Sequence, residues 1–248
     1  MGSLFSDVIA RPVGLTKDVY RIVETQADTA TMALMQNIEK QSALESLLDE
    51  YKPPYADPQL QHRHYLIASP FRYPPLPWGS RFGQRFEHSF FYASESSATC
   101  ITESVYYRFV FFAGKASNFS IPVLTEHCLF SVSVTSDACA DFTQVTDSNL
   151  LSVITSVDDY TQTHKIGREC RNNDIDVIRY PSARDLLGIN VAIDNPNVII
   201  SDEPILKRTV IMQINQARDR ITVKTDKDFP VIFTQAQFTV DGIFPSIL

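Results

Sequence analysis

With 248 residues, 44% of them apolar and 21% charged, the chain can bury a sizeable core and has the composition of a folded domain, which excludes a disordered or fibrous class. Its formal net charge of -7 repels polyanions at long range, so neither nucleic acid nor an anionic membrane surface is expected as a direct partner. No apolar run approaches the roughly 18 residues of a spanning helix, and no secretory leader is visible, which sets the expectation of a soluble cytoplasmic protein.

The opening "MGSLFS" matches the short myristoylation pattern, but no polybasic run follows to supply a second membrane signal, and the match is discounted. Residues 17–51 place Ile22, Met32, Met35, Ile38, Leu44, Leu47 and Leu48 at spacings near three and four among Glu, Gln and Lys, which predicts one or two amphipathic helices. "KPPYADP" then stops any helix, because proline lacks an amide proton and crowds the preceding turn. Residues 1–58 are therefore expected to form a helical N-terminal extension, and residues 59–248 the main domain. The extension's apolar stripe must pack on something: the domain itself, a second copy in a homodimer, or a partner protein.

Beyond residue 58 the texture is that of short strands: "HYLIAS", "FFYAS", "LFSVSV", "DVIRY", "NVIIS", "RTVIMQI", "RITV" and "PVIFT" are rich in Val, Ile, Phe and Tyr. "ATCITESVYYRFVFF" and "DSNLLSVITSV" read as helices, the aromatic end of the first also being compatible with a strand. "INQARDRITVK" reads as a hairpin. The pattern predicts an α+β fold, a mixed and mainly antiparallel sheet with flanking helices. Cys100, Cys128, Cys139 and Cys170 lack metal or disulfide spacing and read as buried thiols, and His62 and His64 have no second ligand pair, so no metal site is expected.

One polar set stands out within the most aromatic part of the chain. Arg72 and Arg81 lie in "SPFRYPPLPWGSRF", a loop stiffened by prolines, and their guanidinium groups suit phosphate or carboxylate. Tyr92 closes the run "SFFY"; Ser96 or Ser97 can cap the helix that follows, and Glu103 falls in its second turn between Ile101 and Val105. Such a carboxylate is turned to solvent, paired with Arg81 as a structural salt bridge, or aimed into a pocket. Ser182 follows a strand in the turn "YPSARD". No nucleophile elbow, Walker loop or dinucleotide-binding glycine fingerprint is present.

"GSRF", "FFYAS" and "TCITES", followed by "IDVIRYPSAR" and "GINVAI", resemble the RES domain, a family named for its Arg, Glu and Ser and found in toxins paired with Xre-type antitoxins. The resemblance covers roughly residues 65 to 200. Arg81, Tyr92, Glu103 and Ser182 match the family's arginine, tyrosine, glutamate and serine, and Arg72 with Tyr73 stands for its first arginine–tyrosine pair. Where the family has Gly-Gly-Arg-Trp-Asn, this chain has Gly79, Ser80, Arg81, Phe82 and Gly83.

The resemblance implies an ADP-ribosyltransferase-like fold and consumption of NAD, most simply by phosphorolysis to nicotinamide and ADP-ribose 1″-phosphate, with inorganic phosphate as co-substrate and an Xre-family antitoxin as partner. On that reading Glu103 stabilises positive charge developing on the ribose, Arg81 and Arg72 neutralise phosphate, Tyr92 stacks on a ring and Ser182 orients the substrate. Tyr73 joins them in binding. The alternatives are transfer of ADP-ribose to a protein and a catalytically silent binding module.

Overall fold

Why the chain folds around one sheet is visible in its longest strand. The computed structural model describes residues 5–25, 51–55, 57–113 and 121–245, and among these eight strands form one sheet. They are β1 (Val13–Glu24), β2 (Phe91–Ser94), β3 (Val123–Asp141), β4 (Val177–Pro181), β5 (Ile189–Ile193), β6 (Leu206–Ile214), β7 (Arg220–Thr225) and β8 (Val231–Thr234). The order is β1-β2-β5-β4-β3-β6-β7-β8, and β1 also pairs with β3, so the first five neighbours close into a ring. Only β3 and β4 run parallel; the other pairings are antiparallel. At 19 residues, β3 is long enough to pair with β6 at its start and with β4 at its end while β1 runs along its other edge.

The α-helices among the described residues are α1 (Ser6–Ile9), α2 (Tyr65–Ala68), α3 (Ser97–Ala113), α4 (Ser148–Ile154) and α5 (Thr161–Asn172). Strand alternation sorts the core. Phe91, Ala93, Val177, Val191 and Ile193 face one apolar cluster with Val19, Phe130 and Val132. Their sequence neighbours Phe90, Ile178, Tyr180 and Ala192 face a second cluster under α4 and α5. A third packs α3 through Val105, Tyr106 and Phe109 onto Val210, Met212 and Val223. Each fully buried side chain of this kind stabilises the fold by about 1.5–3 kcal/mol.

The α+β expectation holds, with specific corrections. Residues 17–24 do not begin a helix: they continue β1, whose partners run from Cys139 to His127, so this part of the N-terminal stretch belongs to the main sheet. Charged and apolar residues there alternate closely enough to satisfy a strand, and pairing along β3 decides. The remainder of the expected helices, residues 26–50, lies outside the described residues. "HYLIAS" forms α2 instead of a strand because His64 caps it, Nδ1 accepting from the Leu66 amide. "NVIIS" contributes only a 3-10 turn and an isolated bridge from Ile199 to Val134. The aromatic end of "ATCITESVYYRFVFF" is helical to Ala113.

Cys100, Cys139 and Cys170 are buried, and burial pushes each thiol up to about 12, while Cys128 is half-buried. The helix α5, unrecognised from the sequence, approaches the chain so closely that a Cβ at Gly167 would lie 1.9 Å from the Phe82 carbonyl oxygen. Gly167→Ala must therefore push α5 off the Arg81–Phe82 segment, with an expected loss of about 1–3 kcal/mol, read as a lowered urea midpoint at unchanged slope.

Candidate functional site

Strand register assembles one polar row on the face toward α3. Ser94 on β2 stands opposite Asn190 on β5, and Asn190 stands opposite Tyr180 on β4. Asn190 is buried, and a buried amide must find partners. Its Oδ1 accepts from the Ser94 hydroxyl at 2.6 Å, and its Nδ2 donates to Glu103 Oε1 at 2.6 Å.

Glu103 arrives from α3, where Cys100, Glu103, Ser104 and Tyr107 share the helix face that lines a cavity of about 380 Å³. The helix begins where the Ser96 hydroxyl accepts from the Thr99 amide, as the capping reading required. Glu103 Oε1 also accepts from the Ser182 hydroxyl at 2.6 Å. Ser182 is itself fixed, because its oxygen accepts the amides of Arg184 and Asp185 at 3.0 Å each. Both bonds to the carboxylate converge on Oε1, and among the described residues Oε2 has no hydrogen-bond partner.

Arg81 and Tyr92 line the same cavity, and both bond to the protein. Arg81 Nη1 donates to the carbonyls of Ile154 and Ser156 at 2.8 and 3.0 Å, and Nη2 to the Tyr160 hydroxyl at 3.4 Å. Burial works against its charge, but Tyr160, Tyr180, Tyr107 and Glu103 together hold its pKa above the usual arginine value. There is no direct Arg81–Glu103 salt bridge among the described residues; the guanidinium anchors the α4–α5 connection. The Tyr92 hydroxyl bonds Ser80 Oγ at 2.9 Å and accepts the Phe82 amide at 3.0 Å, and burial pushes it up to about 12. It ties the Gly79–Gly83 turn to β2.

The other predicted residues fall elsewhere. Arg72 turns to the Pro53 carbonyl and sits 4.6 Å from the Tyr55 ring, outside both cavity walls. Tyr73 lines a second cavity of about 690 Å³, which shares Arg21, Leu76, Gly79, Ser80 and Tyr92 with the first. Among the described residues no three His, Cys, Asp or Glu side chains could hold a metal, and His64 lies instead 3.0 Å from Lys207 Nζ.

Sequence reasoning missed Arg21, Asn190, Tyr107 and Tyr160. Arg21, on β1, lines both cavities; its Nη1 donates to the Tyr92 carbonyl at 2.6 Å, and its buried Nε has no partner among the described residues. Burial lowers its pKa to about 10, so it remains a cation at neutral pH. Tyr107, one turn after Glu103, has its hydroxyl 3.4 Å from that of Tyr160. Asn190 carried a signal, being a lone amide in the apolar run "GINVAI".

The mixed sheet and α3 together bring the Arg21 guanidinium and the Glu103 carboxylate to the wall of one cavity. The family described as RES domain matches residues 56–212, more than half of the chain, and the chain belongs to that family. The match leaves out β1, and with it Arg21, although β1 is integral to the sheet. Among solved structures, the M. tuberculosis MbcT-MbcA toxin-antitoxin complex is similar at 13% identity, covering 96% of each chain with a TM-score of 0.47. No curated protein matches. Among the described residues no helix is long and apolar enough to cross a membrane.

Because Arg81 is buried and holds two carbonyls, while Arg72 makes one exposed bond to the Pro53 carbonyl, Arg81→Ala should cost about 2–4 kcal/mol through two carbonyls stripped of their donor and the void left behind, whereas Arg72→Ala should cost less than about 1 kcal/mol. Paired urea denaturations measure both, and equal losses would contradict the assignment. Ser182→Ala, which strips Glu103 of a donor and two amides of their acceptor, should cost about 1–3 kcal/mol.

Proposed function

We propose that the cleft binds NAD and breaks its nicotinamide–ribose bond by phosphorolysis. The observation that carries this reading is Glu103, a carboxylate with one oxygen fixed by two 2.6 Å bonds from neutral donors and the other left to a cavity that Arg21 also lines. As the C1″–N bond lengthens, its electron pair leaves with nicotinamide and the ribose gains oxocarbenium character. A fixed carboxylate beside the ring stabilises that charge more than it stabilises the ground state. A phosphate oxygen then forms the new bond to C1″, giving ADP-ribose 1″-phosphate.

Arg21 takes the anion-binding part first given to Arg81 and Arg72. A chain of net charge -7 does not attract a dinucleotide or phosphate by its overall field, so a local cation is required. Among the described residues Arg21 makes one hydrogen bond to the protein, whereas Arg81 makes three, to two carbonyls and a phenol. Ser182 and Asn190 act as positioning residues, since their donors go to Glu103. The rest of what family membership suggests follows from this reading: an NAD-consuming toxin, restrained by an Xre-type antitoxin in the cytoplasm.

The test is incubation of purified protein with NAD and phosphate, following nicotinamide release and identifying the sugar product. Glu103→Gln should leave the thermal midpoint near the parent value and lower turnover by about 100-fold or more, the usual loss when an electrostatic stabiliser is removed. Arg21→Gln should raise KM for NAD by at least about tenfold. NAD left intact with and without phosphate overturns the reading; label transferred from NAD to a protein would overturn phosphate as the acceptor and keep the bond cleaved.

A further inference from the structure

Trp78 is the chain's one tryptophan, and it lines the Glu103 cavity but not its larger neighbour. It is the third residue of a turn from Leu76 to Gly79, closed by the Gly79 amide donating to the Leu76 carbonyl at 2.7 Å. Pro77 at the second position is pre-set for such a turn, and Gly79 leaves it with φ +82, a conformation that favours glycine. Pro74 and Pro75 stiffen the approach. The backbone beneath the indole is thus ordered before any ligand arrives.

The indole itself is uncommitted: it is 45% exposed and makes no hydrogen bond or ring contact among the described residues. The other aromatic rings of this cavity are occupied. Tyr180 packs edge-on against Phe82 at 4.9 Å, Tyr107 against Tyr106 at 5.2 Å, and the Tyr92 hydroxyl holds the turn. An open indole face and an unspent carboxylate oxygen in one cavity are complementary to a flat ring bearing positive charge, since tryptophan presents the strongest cation-attracting face of the aromatic side chains.

We propose that Trp78 receives the pyridinium ring of the dinucleotide and selects the charged ring over a neutral one of the same shape. This rests on the reading of the Glu103 cavity as the nicotinamide end of an NAD site. The ring is cationic while the glycosidic bond is intact and neutral once it has left, so the contact holds substrate and weakens on the departing product. Trp78 therefore acts on KM and leaves the chemical step to Glu103.

A single tryptophan gives a direct readout. Fluorescence of the wild-type protein is titrated with 1-methylnicotinamide, a cation, and with neutral nicotinamide, N-acetyltryptophanamide serving as the control for collisional quenching. The expected result is saturable quenching by the cation at a concentration about tenfold below that for nicotinamide, with a narrower gap in Glu103→Gln. Trp78→Ala should raise KM for NAD about tenfold with kcat within about threefold, Trp78→Phe should recover part of the loss, and Phe86→Ala, an exposed aromatic outside both cavities, should change neither. Quenching that is linear and equal for the two probes overturns the proposal, as does an unchanged KM in Trp78→Ala while the wild type still degrades NAD; that outcome leaves the NAD reading intact. A wild type that releases no nicotinamide overturns the NAD reading, and saturable quenching by the cation then still supports a cationic-ring site at Trp78.

Discussion

The site depends on how Glu103 is held. The turn between β4 and β5 meets α3 at two points one helical turn apart: Ser182 donates to Glu103, and Thr99 donates to Asp185 at 2.7 Å. Two contacts on one face fix the rotation of the helix about its axis, which a single contact would not do. The approach is close enough that a Cβ at Gly188 would lie 2.5 Å from the Thr99 methyl, so the residue that ends the turn must be small. Asn190 then clamps the carboxylate from the sheet. Turn, helix and strand all determine the position of one oxygen atom.

The two arginines of the cavity show how similar side chains diverge in role. A guanidinium has five N–H donors, and the part it plays depends on how many the protein consumes. Arg81 bonds two carbonyls and a phenol; its charge is a structural tie between the Gly79–Gly83 turn and the α4–α5 connection. Arg21 bonds one carbonyl and sits 5.0 Å from the Phe91 ring, with a buried Nε left over. With one hydrogen bond to the protein against three for Arg81, Arg21 keeps the larger share of its donors.

Much of the main domain was legible because its strands carry β-branched and aromatic runs bounded by polar turns, and because α3 carries a cap. Glu103 and Ser182 were each legible through the family resemblance, but the bond between them was not, because the resemblance gave Ser182 to the substrate and the only partner weighed for Glu103 was Arg81. Arg21 was not, because "KDVYRIV" was absorbed into a helical periodicity that continues to residue 51, and local spacing does not reveal that β3 offers a long partner edge. Arg72 and Arg81 look alike as loop arginines. What separates them is where three backbone carbonyls lie in space, information that is non-local by nature. Asn190 gave a local signal, but its consequence depends on the register that sets it opposite Ser94 and Tyr180.

The aromatic surroundings of this polar set follow from electrostatics. Burial holds the Tyr107 and Tyr180 hydroxyls well above their ordinary pKa, so at neutral pH they line the cavity as neutral dipoles. The charges left on its walls are Arg21, Arg81 and Glu103, each held by neutral groups: carbonyls, hydroxyls and an amide. Had Arg21 paired with Glu103, each would have cancelled the other's field and both would have been lost to a ligand. Holding a charge with dipoles offsets part of its desolvation cost without a direct ion pair, so the field of that charge stays directed at whatever enters the cavity. The aromatic residues keep the dielectric low, and the neutral donors keep the charges apart.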